Sequence, residues 1–259
     1  ELWPFRLEIG KQGLSLIVVS EEMCPVMNDK IDVSSEIIEG IIQRLQKGGV
    51  FGEIKRGERH VYANEKLYDM MKQHPRICEH LHLPIQSGSD RILSHMRRGY
   101  TVENYKSRVE TFRKRFPKGA VTTDIIVGYP GETEEDFEKT FQLMEEIEFD
   151  DAYIFKFSPR PGTDAMAYQD DVLKKDKEAR NLSLLRLQEK ISEKKLCTLI
   201  GETVEVLVEG KSKKDKSEYK GRSRTAREVV FRGGNVHAGD LLSVKIGSLY
   251  GKTLLGTIV

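Results

Sequence analysis

Apolar positions follow two alternating rhythms up to about residue 196 and a different one beyond it. Residues 14–19 (LSLIVV) form a continuous apolar, β-branched run, the pattern of a strand buried on both faces of a parallel sheet. From Ser34 the spacing becomes helical, with Ile37, Ile38, Ile41, Ile42 and Leu45 on one face, Ser34 or Ser35 as the cap and Gly48-Gly49 as the stop. Further helices are predicted over 65–72, 102–115 and 176–196, and one that opens at Thr133 with acids in its first turn. Strands are predicted over 80–85, 121–127 and 152–157, each discharging into a loop rich in Gly, Ser or Pro. This alternation implies stacked βα units and a parallel sheet, with ligands beyond the carboxyl ends of the strands. After residue 202 the units give way to short strands at 203–208, 229–231, 241–246 and 253–259, punctuated by glycines, which predicts a small β-barrel of about 60 residues. The fold expected is α/β, a partial TIM-like barrel over 1–196 followed by an all-β barrel over 197–259.

Composition changes this picture little until it is localised. The chain has 259 residues, 32% charged and 38% hydrophobic, with a net charge of only +1. Ten acids face one base, Lys139, between Glu132 and Asp151, whereas nine bases face three acids between Gly210 and Arg232, a local balance of +6. A footprint of that kind belongs to one domain and not to the whole chain. No run approaches the roughly 18 apolar residues of a membrane span, and the opening residues carry no basic stretch before an apolar one, so neither a membrane anchor nor a signal peptide is expected. Cys24, Cys78 and Cys197 form neither a disulfide framework nor a metal-ligand pattern, which suits a reducing cytoplasm.

Several positions invite chemistry, each beside a plainer reading. Gln86-Ser87-Gly88-Ser89 is an ordinary strand-to-helix turn capped by Ser89 or Asp90, or a polar group at the barrel mouth. Gly128-Tyr129-Pro130-Gly131 suits a type II turn, and equally a backbone that a ligand can approach. Glu132–Asp136 read as helix-capping acids before catalysts, and Arg160 as a surface charge or a clamp for carboxylate or phosphate. His80 and His82 share one strand face but lack a third ligand, so no metal is assigned there. The basic run, interleaved with Tyr219 and Phe231, is a solvated hairpin face or an RNA-backbone contact.

Four segments, in order, resemble the radical S-adenosylmethionine methylthiotransferases: HLHLPIQSGSDRILSHMRRGYT (80–101), TDIIVGYPGETEEDF (123–137), FDDAYIFKFSPRPGT (149–163) and VLVEGKSKKDKSEYKGRSRTAREVVF (206–231). The last resembles a TRAM domain, the RNA-binding barrel attached to these enzymes, in the wording of the family's tRNA branch, the MiaB-type synthases. The resemblance implies a radical enzyme that inserts a methylthio group at carbon 2 of N6-isopentenyladenosine beside the tRNA anticodon. Its implied cofactors are S-adenosylmethionine and two [4Fe–4S] clusters. Its implied partners are tRNA and the proteins that build and reduce iron–sulfur clusters, for a cytoplasmic monomer. Gln86, Ser87, Gly88, Asp124, Gly128 and Arg160 are the expected cofactor-binding set, and Lys211, Lys213, Lys214, Lys220, Arg222 and Arg224 the expected RNA contacts. The sister activity on N6-threonylcarbamoyladenosine, and a non-catalytic tRNA-binding protein that keeps both domains, stay open. One departure is plain. The family's cluster sits on a three-cysteine loop after the first strand, whereas here Glu22-Met23-Cys24-Pro25 offers a single candidate ligand, Cys24. Either the cluster loops lie outside this chain or the chemistry has been lost.

Overall fold

The computed structural model describes residues 6–10, 13–17, 65–73, 77–159 and 164–259, the first two segments as backbone alone. The predicted helix from Ser34, together with Cys24 and Arg160, lies outside the described residues. The described residues cluster into two compact units, one of 83–111 with 121–192, the other of those up to 82 with 112–120 and 193–259.

In the first unit, β4 (Ala120–Val127) and β5 (Asp151–Lys156) run parallel, in register from Thr122 opposite Asp151 to Val127 opposite Lys156. β4 is buried along nearly its whole length, its polar Thr122, Thr123 and Asp124 included, as in a strand covered on both faces. The crossover between them is α4 (Glu134–Ile147), which buries Phe137, Thr140, Leu143, Met144 and Ile147 along one helical stripe. Its start is a full capping box: the Thr133 hydroxyl and the Asp136 carboxylate each accept from the other's backbone N–H. Two further helices flank the polar segment after residue 82: α2 (Asp90–His95) and α3 (Val102–Arg115). The Asp90 carboxylate accepts from the Val102 backbone N–H, 2.7 Å away, so it caps the later helix rather than its own.

In the second unit, β1 (Arg6–Gly10) pairs antiparallel with β2 (Gly13–Ile17), and β2 pairs parallel with β3 (Ile77–His82). Pairing in β3 begins three residues before the expected strand and ends before Pro84, which has no N–H to give a ladder. α1 (Glu65–Gln73) buries Leu67, Tyr68 and Met71, with the Tyr68 ring edge-on to Phe112. The long α5 (Lys174–Cys197) leads to a closed barrel in the order β10-β8-β7-β6-β9, formed by β6 (Thr203–Lys211), β7 (Tyr219–Ser223), β8 (Glu228–Arg232), β9 (Leu241–Tyr250) and β10 (Thr253–Ile258). β10 meets β8 in parallel, and every other pairing is antiparallel. Leu196, Val206, Val208, Val229, Phe231, Val244, Ile246 and Leu254 fill its interior. β7 was absent from the expected strands because YKGRS shows no apolar alternation; both its neighbours hold it in place by pairing.

Candidate functional site

The polar segment that follows β3 runs alongside β4. Leu83 N–H donates to the Thr122 carbonyl at 2.8 Å, Ile85 N–H to the Thr123 hydroxyl at 2.9 Å, and Gln86 N–H to the Asp124 carbonyl at 2.8 Å. The Gln86 carbonyl in turn accepts from Ile126 N–H at 2.9 Å, an isolated parallel bridge that pins the residue on both sides. Gln86 is held there at a φ of 72°, in the left-handed region that side chains avoid. Its side chain is fully buried, and neither amide atom has a hydrogen-bond partner among the described residues. A buried carboxamide without partners gives up roughly 1–3 kcal/mol per unmet group. Gln86 thus joins a left-handed backbone to an unmet buried carboxamide beside β4.

The neighbours are committed to structure. Gly88 N–H donates to the Thr140 hydroxyl at 2.9 Å, and a Cβ on Gly88 would lie 2.5 Å from Thr140 Cα and 2.6 Å from the Lys139 carbonyl oxygen. Only glycine lets this segment lie against the backbone of α4. Ser87 is buried with its hydroxyl 3.5 Å from that of Thr140. The Ser89 hydroxyl donates to Asp136 at 2.6 Å, and Arg91 pairs with the same carboxylate. Burial would push that carboxyl up, but donors from Arg91, Ser89 and Thr133 hold it far below the usual carboxylate range. Asp124 is buried on β4, next to the point where Gln86 docks.

The loop after β4 closes on itself. Gly128, at a φ of 70°, donates its N–H to the Glu132 carboxylate at 2.7 Å, and a Cβ there would collide with the Lys177 side chain. Glu132 is buried against Arg180, 2.8 Å away; burial pushes its carboxyl up, against the opposing pull of Gly128 N–H and the guanidinium. The acids after Gly131 are therefore capping and pairing groups, in line with the plainer of their two sequence readings. Burial pushes the Cys78 thiol up, against the opposing pull of the Arg224 guanidinium. No group of three or more His, Cys, Asp or Glu side chains is placed to hold a metal ion among the described residues.

On the barrel, the expected RNA contacts divide. Lys220 and Arg222 share Glu209, at 3.4 and 3.2 Å. Arg224 is occupied on all sides: by Glu79 at 2.8 and 2.9 Å, by the Ile77 carbonyl at 2.7 Å and by Glu205 at 3.3 Å. Hydrogen bonding to Glu79 pushes its high pKa higher still. By contrast, no carboxylate among the described residues pairs with Lys211, Lys213, Lys214 or Lys216, on or beside the β6–β7 loop. Lys211 lies over the Tyr219 ring at 4.9 Å and Lys214 over Tyr250 at 5.6 Å. The aromatics noted in the basic run turn inward: Phe231 is core, and Tyr219 stacks on it at 6.0 Å. Tyr250, which sequence reasoning passed over, stands exposed at the end of β9; its only signal was an aromatic before a Gly-Lys turn in a basic domain.

Residues 34–144 match the Radical SAM superfamily and residues 198–259 the TRAM domain. The chain is 44% identical over 220 residues to the tRNA-2-methylthio-N(6)-dimethylallyladenosine synthase of Methylacidiphilum infernorum, covering 83% of this chain and 47% of that one. It is 43% identical over 198 residues to the protein of the same name from Protochlamydia amoebophila, covering 76% and 44%. Among solved structures it is similar to the radical SAM enzyme coproporphyrinogen III oxidase from Escherichia coli, at 18% identity and a TM-score of 0.38, over 52% of this chain and 31% of that one. The chain thus spans less than half the length of the curated relatives just described.

Proposed function

The chain belongs to the radical S-adenosylmethionine methylthiotransferase family, and from that premise we propose that it serves the insertion of a methylthio group at carbon 2 of N6-isopentenyladenosine in tRNA. The observation that carries the catalytic half is Gln86, whose buried carboxamide finds no partner among the described residues at the end of a strand. That environment fits a cofactor with a polar edge: Gln86, with Asp124 beside it, would hold S-adenosylmethionine, while Ser87 and Gly88 brace the segment against α4. The cofactor supplies the radical chemistry that an unactivated C–H bond requires. The protein's own part is to bind and orient it: Gln86 can both donate and accept, and its dry surroundings strengthen each hydrogen bond it makes. Gly128 offers shape rather than its N–H, which Glu132 already takes.

The donor set for an iron–sulfur cluster does not fit the described residues, which include only Cys78 and Cys197 as cysteines. On this reading the chemistry belongs to the βα units of 1–196 and the holding of RNA to the barrel of 197–259. Its lysine-bearing β6–β7 loop is the electrostatic support for that second role.

The test is the gene product, reconstituted anaerobically with iron and sulfide and supplied with tRNA bearing either modified adenosine. Nucleoside mass spectrometry should find methylthiolation on isopentenyladenosine. Product only on threonylcarbamoyladenosine would transfer the assignment to the sister activity. A protein that takes up no iron and modifies neither, yet binds tRNA, would establish the non-catalytic alternative.

A further inference from the structure

We infer that Tyr250 and Lys214 form a stacking site for one unpaired RNA base, so that the barrel distinguishes single-stranded from paired RNA instead of only attracting phosphates. The inference rests on the barrel's being an RNA-binding domain and adds a ligand geometry to it. Tyr250 ends β9, directly opposite Thr253 on β10, with Gly251-Lys252 as a two-residue turn in which Gly251 takes a φ of 58°. A tight turn of this kind leaves little room for the tyrosine's backbone to move. Tyr250 is nevertheless 69% exposed, whereas Val244 and Ile246 on the same strand are buried in the barrel core.

One exposed aromatic on a protein surface needs no explanation. The setting of this one does. The Lys214 ammonium stands over the ring, 5.6 Å from its centroid, which puts a cation beside any base stacked on the other face. Lys213 and Lys216 flank Lys214 in sequence, and none of the three pairs with a carboxylate among the described residues. By contrast Lys220, Arg222, Arg224 and Arg232 are neutralised by Glu209, Glu79, Glu205 and Glu218. Uncompensated charge and the exposed ring therefore coincide at one place. An anionic polymer whose planar bases can leave their own stack is the chemistry that uses both, with phosphates on the lysines and a base on the ring. Tyr219 cannot serve, because its ring already lies between Phe231 and Lys211.

The experiment uses the whole chain and three probes of matched charge: oligoadenylate, a blunt-ended RNA duplex and inorganic polyphosphate. Tyr250→Ala should weaken oligoadenylate binding about ten-fold, the worth of one stacked base, and leave the duplex and polyphosphate unchanged. Tyr250→Phe should bind like wild type, since stacking uses the ring and not the hydroxyl. Tyr250→Leu, which keeps the apolar surface, should behave like Tyr250→Ala. Equal losses on all three probes, or none on oligoadenylate, would refute the stacking site while leaving a charge-driven RNA domain intact. A wild-type chain that binds neither RNA would overturn the RNA reading and the stacking site together.

Discussion

Gln86 joins three unfavourable features in one residue: a left-handed backbone, complete burial and a carboxamide with no partner among the described residues. Replacing it with leucine, of similar volume, removes the unmet polar group and keeps the shape. Gln86→Leu should therefore leave the denaturant midpoint unchanged or raise stability by about 1 kcal/mol. The same variant should lose roughly ten-fold in S-adenosylmethionine affinity, measured by equilibrium binding. A turn residue with no ligand would show the stability half of that pattern without the loss of affinity. The sequence singled out this glutamine because polar residues that follow an apolar run are visible in the pattern. Its burial and its φ were invisible there, since both are imposed by the bridge to Ile125 on a strand 39 positions away. The same limit explains the basic residues. Sequence counted Arg222 and Arg224 with the loop lysines, and only the folded barrel brings Glu209 and Glu79 against them.

Between elements, the Asp136 carboxylate ties the start of α2 to the start of α4. It accepts from Ser89 and Arg91 on one side and from Thr133 on the other. Because its folded pKa lies below the unfolded value, its contribution is complete above about pH 4 and is lost as pH falls through the folded value. Wild type should thus lose stability in acid more steeply than Asp136→Asn, which should itself be about 2 kcal/mol less stable at neutral pH. Urea midpoints followed from pH 7 down to pH 3 would reveal it, and parallel curves would show that the carboxylate's charge does not matter. Helices of three turns or more were legible in the sequence: α3 occupies the predicted 102–115. α2, with six residues, was not, because less than two turns of Asp-Arg-Ile-Leu-Ser-His shows no periodicity. The parallel strands were legible as apolar runs, and β7 was not, for want of one.

Across the whole molecule, a near-neutral chain sets Lys211, Lys213, Lys214 and Lys216, none paired with a carboxylate among the described residues, on or beside one loop of the barrel. Alanine at Lys213, Lys214 and Lys216 together should flatten the dependence of log affinity for tRNA on log salt by about one unit for each phosphate that a lysine no longer neutralises. Alanine at Lys220 and Arg222, which already face Glu209, should flatten it less. Equal slopes for the two variants would show that the acids do not screen these cations. The clasp of Arg224 on Glu79 and the Ile77 carbonyl has another consequence, in the protein's breathing rather than in its ligands. A segment cannot loosen alone when its neighbour's guanidinium is bonded to its backbone. The β7–β8 turn and the start of β3, 147 positions apart in sequence, should exchange their amide hydrogens as one cooperative unit, and Arg224→Ala should divide that unit into two.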